Sequence, residues 1–356
     1  MPSNARQRWR PKKRWTSPPP RSPVAAPASN DALRRATEGA ARVAWNRFGS
    51  WPRRVAILAL LLAGIGLWVT HLESVDWRGM GTALAAMPLD RLWWATGLTA
   101  TSYLAYSSID LLARRVTGHA VRASSTLLIG FVSHACALNL GPAGAGFRFR
   151  LYMSHGVDAV RATAIWLFNI ATNWIGFAAV AGTALAGGWI HLPDDWGLIT
   201  HASRLAGLAL LGSLIAYFVL CMKAHGHAWS LFGHRIMLPT PSVAAMQCAL
   251  SSANWLLLAG VIAALLPSGV PFSAVLGALL ASAIALAVID VPAGLGVTET
   301  VFLAMLGSLV PVHELLAALL AYRALYFGGP LLLALALYAG IESRRLVNRR
   351  AAVHGE

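Results

Sequence analysis

Apolar runs of bilayer length constrain this chain more than any other feature of it. About 20 apolar residues cross a hydrocarbon core, and such runs stand at about 55–72, 92–113, 162–187, 205–222, 243–266 and 315–341. Two further runs, 124–140 and 273–290, each end in a Pro/Gly knot followed by a segment too short to cross. As helix, the segment 145–155 would reach only about 16 Å, against about 30 Å of hydrocarbon. The expected fold is an all-α polytopic membrane protein with about six full spans and two opposed re-entrant hairpins. Only 12% of the residues are charged, about half the share usual in soluble domains. An ordinary water-soluble enzyme is thereby excluded.

The charge that remains is unevenly placed. The formal net charge is +15, and 13 of the 29 Lys and Arg fall within residues 1–54, against only Asp31 and Glu38. Seven prolines keep residues 1–29 extended. From Asn30 to Phe48, apolar residues recur at three and four with arginines between them, the pattern of an amphipathic helix on an anionic membrane face. The division that follows is a basic, Pro-rich tail (1–54), a transmembrane domain (55–341) and a second basic tail (342–356). The first apolar run begins too late for a signal peptide and is expected to stay as an anchor. If both hairpins return to the side they left, 25 of the 29 cations are cytoplasmic, three (Arg78, Arg91, Arg204) are external and Arg323 lies within a span. That bias places both termini in the cytoplasm of a bacterial inner membrane.

The two knots resemble each other. Pro142-Ala143-Gly144-Ala145-Gly146 is matched 150 residues later by Pro292-Ala293-Gly294-Leu295-Gly296 (142 against 292). The expected topology sends the first hairpin in from the cytoplasm and the second from outside, so the two form an inverted repeat. Such Gly/Pro-interrupted segments mark the midplane site of transporters. Charged residues cluster there: Arg148 and Arg150 with Tyr152 beside the first knot, Asp290 and Glu299 beside the second, and Arg323 inside the last span. Ions at that depth are costly unless paired or hydrated, hence functional by default. Arg148, Arg150 and Arg323 are expected to bind a lipid phosphate, which suits arginine's planar fork. Glu299 and Asp290 are expected to alternate between pairing with an arginine and releasing it. The alternative is a static ion-pair network that holds the hairpins together. Asn139, Tyr152, Asn169 and Asn173 are further cavity-lining candidates, whereas Asp110 is expected to neutralise its helical neighbour Arg114.

Enzyme signatures fail. His313-Glu314 starts like a zinc-protease helix, but Ala317 stands where the second histidine belongs. Neither a Walker A sequence nor a GxSxG elbow occurs. Cys136, Cys221 and Cys248 form no CxxC pair and read as buried thiols. The loose group His225, His227 and His234 lacks the companions of a metal site. No metal or cofactor is expected, and no nucleic-acid module follows the basic tail.

The stretch from Asn139 to Tyr152, with the later Pro292 to Glu299, resembles the lysylphosphatidylglycerol synthase transmembrane family: the flippase part of MprF proteins and stand-alone YbhN-like inner-membrane proteins. The resemblance covers about residues 55–341. It implies the membrane half alone, a lipid translocator, without the aminoacyl-transferase domain that makes the lipid. The expected function is therefore translocation of an anionic or modified phosphatidylglycerol-type phospholipid. Two alternatives remain: an accessory subunit that docks a separate lipid synthase, and an intramembrane lipid-modifying enzyme. A homo-oligomer is compatible with each.

Overall fold

The structure, a computed structural model, describes residues 77–190, 197–224, 228–231, 234–289 and 294–354. The tail 1–54, the run 55–72, Asp290 and Pro292 lie outside them, as do His225 and His227. The described chain begins with a short helix, α1 (Trp77–Ala85), and then runs as two similar units. The first comprises α2 (Leu89–Thr117), α3 (Ala123–Leu140), a 3-10 turn (Gly141–Gly144), α4 (Ala145–Ser154) and α5 (Ala159–Ala186). Between the units stand α6 (Gly197–Ala224) and a small antiparallel hairpin, β1 (Ala228–Leu231) with β2 (His234–Met237). The second unit comprises α7 (Pro241–Leu265), α8 (Phe272–Ile289), α9 (Val297–Leu306) and α10 (Val312–Tyr322). A π-helical segment (Arg323–Gly328) then leads into α11 (Gly329–His354). The all-α membrane fold is as expected; the β-hairpin, confined to a connection between spans, is not part of that expectation.

Six described helical stretches are long and apolar enough to cross a bilayer: Ala123–Leu140, Ala159–Ala186, His201–Lys223, Pro241–Leu265, Phe272–Ile289 and Val312–Ser343. Helix α2, expected to span at 92–113, has the length at about 44 Å but is less apolar. Its polar residues face inward: Thr99, Ser102, Ser107 and Asp110 are all buried. Its other side carries Trp93 and Trp94, 73% and 71% exposed, as suits a lipid interface. Helix α6 is the most peripheral, with Leu205, Leu208 and Ile215 exposed.

The two units match in more than sequence. Each hairpin has an 18-residue long arm (α3, α8) and a 10-residue short arm (α4, α9). Both fold back on themselves: in the second, Gly277 near the start of α8 meets Met305 near the end of α9. In the first, the loops on either side, around His119 and His155, border one cleft. The units meet where Ser102 donates to Asn254 at 2.7 Å, each the fourteenth residue of its helix. Helices α2 and α7 are antiparallel there, with Leu98 facing Gly260 on the other side of the crossing. Helices α5 and α7 run parallel, since Thr172 meets Gln247 and Gly176 meets Ser251 one turn further along both. These relative directions are the ones an inverted repeat demands.

The knots use their glycines differently despite their sequence likeness. Positive φ falls on Gly141 (56°) in the first knot, but on Gly294 (64°) and Gly296 (81°) in the second. Gly144 has ordinary helical dihedrals, and Gly146 lies within α4. What Gly144 supplies is close approach: a β-carbon there would collide with the Cys136 carbonyl and stand 2.5 Å from the Ala137 backbone nitrogen. Gly144→Val is therefore expected to pry α4 from α3 and cost at least about 1–3 kcal/mol, the range for overpacking. Thermal unfolding in detergent checks this; an unchanged melting temperature would contradict it.

Candidate functional site

The inward stripe of α2 repeats at three and four: Thr99, Ser102 and Tyr103, Tyr106 and Ser107, then Asp110. That spacing places one polar face along the unit interface. At its end Asp110 is fully buried and accepts from Arg148 Nη1 of α4 at 2.5 Å, with side chains 0% and 5% exposed. The same oxygen accepts from the Tyr152 hydroxyl at 3.0 Å and from Asn169 Nδ2 at 3.4 Å. Room for this carboxylate comes from Gly130 on α3, where a β-carbon would stand 2.7 Å from Asp110 Oδ2. Asp110 Oδ2, Ser107 Oγ, Ser133 Oγ, His134 Nε2 and Asn169 Oδ1 are buried and have no hydrogen-bond partner among the described residues. Such atoms cost about 1–3 kcal/mol each when left dry. His134 itself stacks on Tyr106, ring centroids 3.5 Å apart.

A second ionic centre lies at the other knot. Glu299, in the first turn of α9, accepts from Arg323 Nε at 2.5 Å and from Arg323 Nη2 at 2.9 Å. Its carboxylate also accepts from the Gly296 backbone N–H at 2.9 Å, capping a helix end whose dipole favours an anion. Arg323 Nη2 donates in addition to the Gly294 carbonyl at 2.9 Å. The last span is thus tied to the second knot through one guanidinium.

Between the centres runs the π-helical segment, a backbone form found mostly at functional sites. Its Tyr326 hydroxyl shares a hydrogen bond with Ser102 at 2.9 Å, and Tyr103 donates to the Tyr326 carbonyl at 2.9 Å. From the end of the first long arm, Asn139 Nδ2 donates to the Phe327 carbonyl at 3.3 Å. One six-residue segment therefore touches the end of the first long arm through Asn139, the second knot through Arg323, and the crossing of α2 and α7 through Ser102.

This arrangement corrects the expected pairing. Arg148 faces Asp110 rather than Glu299, and Asp110 is not the partner of Arg114. Arg150 is turned to the surface, where it meets Glu342 of α11 at 2.7 Å with 56% of its side chain exposed. Of the three arginines, only Arg323 holds an expected carboxylate. Tyr152 and Asn169 do join the buried site, through Asp110. Asn173 contributes its backbone instead, accepting from Trp255 Nε1 at 3.2 Å and Ser251 Oγ at 3.3 Å. Gly296 and Gly294 belong to the second centre, but the position of Asp290 relative to it lies outside the described residues. Of Pro142, only its place in the 3-10 turn is described. Sequence reasoning misses Ser102, Tyr326 and Asn254 and gives Asp110 the wrong partner; the polar stripe of α2 is the available signal for Ser102 and Asp110.

Comparison with known proteins agrees with this architecture. The inner membrane protein YbhN of Escherichia coli (strain K12) is 36% identical over 295 residues, which cover 82% of this chain and 93% of that protein. The chain belongs to the YbhN family. A second relative, the uncharacterized protein slr0712 of Synechocystis, is 28% identical over 301 residues, 81% of this chain and 91% of that one. No protein-family model matches. This YbhN-family protein is accordingly a multi-pass integral membrane protein, and the matched relatives span nearly their whole length on it.

Proposed function

We propose that this protein is a phospholipid translocator that acts on anionic or modified phosphatidylglycerol-type lipids and performs no covalent chemistry on them. The observation that carries the reading is the convergence of two oppositely directed hairpins on one π-helical segment. Irregular backbone at membrane depth is tolerated where it is buried in protein or lines a wet cavity, and half-length arms at a repeat interface are the architecture of alternating access. In this reading both hairpins are re-entrant, the first open to the cytoplasm and the second to the outside, with both termini cytoplasmic. Arg323 is the phosphate-binding group: it exchanges the Glu299 carboxylate for a lipid phosphate, and Glu299 serves as the gate. Arg148 and Asp110 form the rigid counterpart in the first unit. The lysylphosphatidylglycerol link enters here, as the lipid class the resemblance implies.

Two measurements test the proposal. Reconstituted into liposomes, the protein is expected to move labelled phosphatidylglycerol between leaflets; no movement would overturn the reading. Single cysteines at Ala120 and Gly156 are expected to react with a membrane-impermeant maleimide from the cytoplasmic side, and one at Gly188 from the other. Labelling of Ala120 and Gly156 from opposite faces would make the first hairpin a single net crossing and exclude re-entrance.

A further inference from the structure

A cleft of about 480 Å³ opens at the end of the molecule where the first hairpin leaves and returns. Its walls include His119, Arg122, Ser125, His155, Val157 and Arg161. The N-terminus of α3 points into this group, with Arg122 at the N-cap and no side chain capping it. The first backbone bond there is Thr126 N–H to the Arg122 carbonyl, which leaves the N–H groups of the preceding turn to another acceptor. Helix N-termini of this kind bind anions through both their N–H groups and their dipole.

His119 gives an independent pointer to a ligand. The residue is 4% exposed, and neither ring nitrogen has a hydrogen-bond partner among the described residues. Burial, and then the charges of Arg114 and Arg161, push its pKa below the ordinary value. Two arginines, Arg122 and Arg161, border the same cleft; the latter also meets Asp158 at 3.3 Å, a pair about half exposed on both sides. His155 is held by the Leu151 carbonyl at 2.8 Å. Cations thus outnumber the single nearby carboxylate.

The second unit supplies a contrast. At the opposite end a cleft of about 360 Å³ is bordered by Met87, Pro88, Arg91, Leu265, His313 and Glu314. Glu314 is the third residue of α10, as Arg161 is of α5. One end therefore presents an arginine where the other presents a glutamate.

We propose that the cleft bordered by His119, Arg122, Ser125 and Arg161 is a phosphate-binding site, and that its occupant is the phosphodiester of a phospholipid in the adjoining leaflet. The identity of the occupant rests on the translocator reading; the anion site does not. Phosphate oxygens accept from the free N–H groups of α3, from the two guanidinium forks and from His119. The site connects inward, because the His119 ring packs edge-on against Tyr152, whose hydroxyl reaches Asp110. A headgroup held here waits one side chain from the buried ionic centre. The glutamate in the other cleft disfavours the same anion, so loading is asymmetric.

The test uses the full chain with two probes: inorganic phosphate in phospholipid-free detergent, by equilibrium binding, and phosphatidylglycerol against phosphatidylcholine, by native mass spectrometry of retained lipid. Wild type is expected to bind both phosphate and phosphatidylglycerol. The double variant Arg122→Gln with Arg161→Gln is expected to weaken phosphate binding by about tenfold or more, about 1.4 kcal/mol, and to lose the lipid. Arg161→Glu, which copies the opposite cleft, is expected to abolish both. Their melting temperatures should match wild type, because exposed side chains away from packed features cost little. Phosphate bound without a preference for phosphatidylglycerol overturns the lipid occupant and leaves a free-phosphate site. Variants that bind both probes as wild type does, or a wild type that binds neither, overturn the site. Phosphate bound normally by a protein that moves no lipid retires the translocator reading and leaves the cleft standing.

Discussion

Replacing Arg148 by methionine is expected to destabilise the protein by about 3–5 kcal/mol, the cost of stranding one member of a fully buried ion pair. Asp110 has no second cation at bonding distance among the described residues, and Tyr152 and Asn169 are its other donors. Removing the pair altogether tells a different story. Arg148→Met combined with Asp110→Leu leaves no buried charge, and apolar replacements of buried pairs are often neutral. Recovery is expected to be partial, because Tyr152 and Asn169 then lose an acceptor, at about 1–3 kcal/mol for a buried polar group left unpaired. Thermal unfolding in detergent of the single and double variants measures both effects. A single variant as stable as wild type would mean that Asp110 is hydrated or protonated rather than dependent on Arg148.

The second large effect concerns the Glu299–Arg323 pair, and here function and structure separate. Glu299→Gln keeps one oxygen, which can still accept from the Gly296 N–H and Arg323 Nη2 as Oε2 does, but turns the other into an amide donor and removes the charge that competes with phosphate. The variant is expected to hold phosphatidylglycerol more tightly and to move it at least about tenfold more slowly, since a tenfold change requires only about 1.4 kcal/mol of added ground-state binding. Arg323→Gln is expected to lose lipid retention as well as movement. A purely structural pair predicts otherwise: both variants would melt lower by similar amounts and retain lipid equally. Native mass spectrometry of retained lipid beside a melting curve distinguishes the two accounts.

Much of the fold was legible because hydropathy and chain breaks record it directly. The long arms ending at Leu140 and Ile289 and the ten-residue short arm from Ala145 to Ser154 follow from apolar length and from Pro/Gly placement. The site was legible in depth but not in direction. Position along a helix places Arg148, Arg323 and Glu299 inside the apolar region, yet the azimuth that decides which of them meet depends on packing between helices. Asp110 shows the consequence: a neighbour four residues on explains it locally, but the stripe from Thr99 to Asp110 turns it inward, where α4 and α5 reach it. Likewise the π-helical turn sets Phe327 against Asn139 of the first hairpin and Arg323 against the second knot. No rule of local sequence marks a π segment of six residues in a run of apolar and aromatic side chains.

The central claim is that lipid headgroups pass between the hairpins, and leaflet exchange measures it most directly. Proteoliposomes carrying labelled phosphatidylglycerol in both leaflets are treated with an impermeant reagent that destroys the outer label. With wild-type protein the account predicts loss of label beyond the outer half, slowed at least about tenfold by Glu299→Gln. Label loss that stops at the outer half with wild type, as in protein-free vesicles, would contradict it.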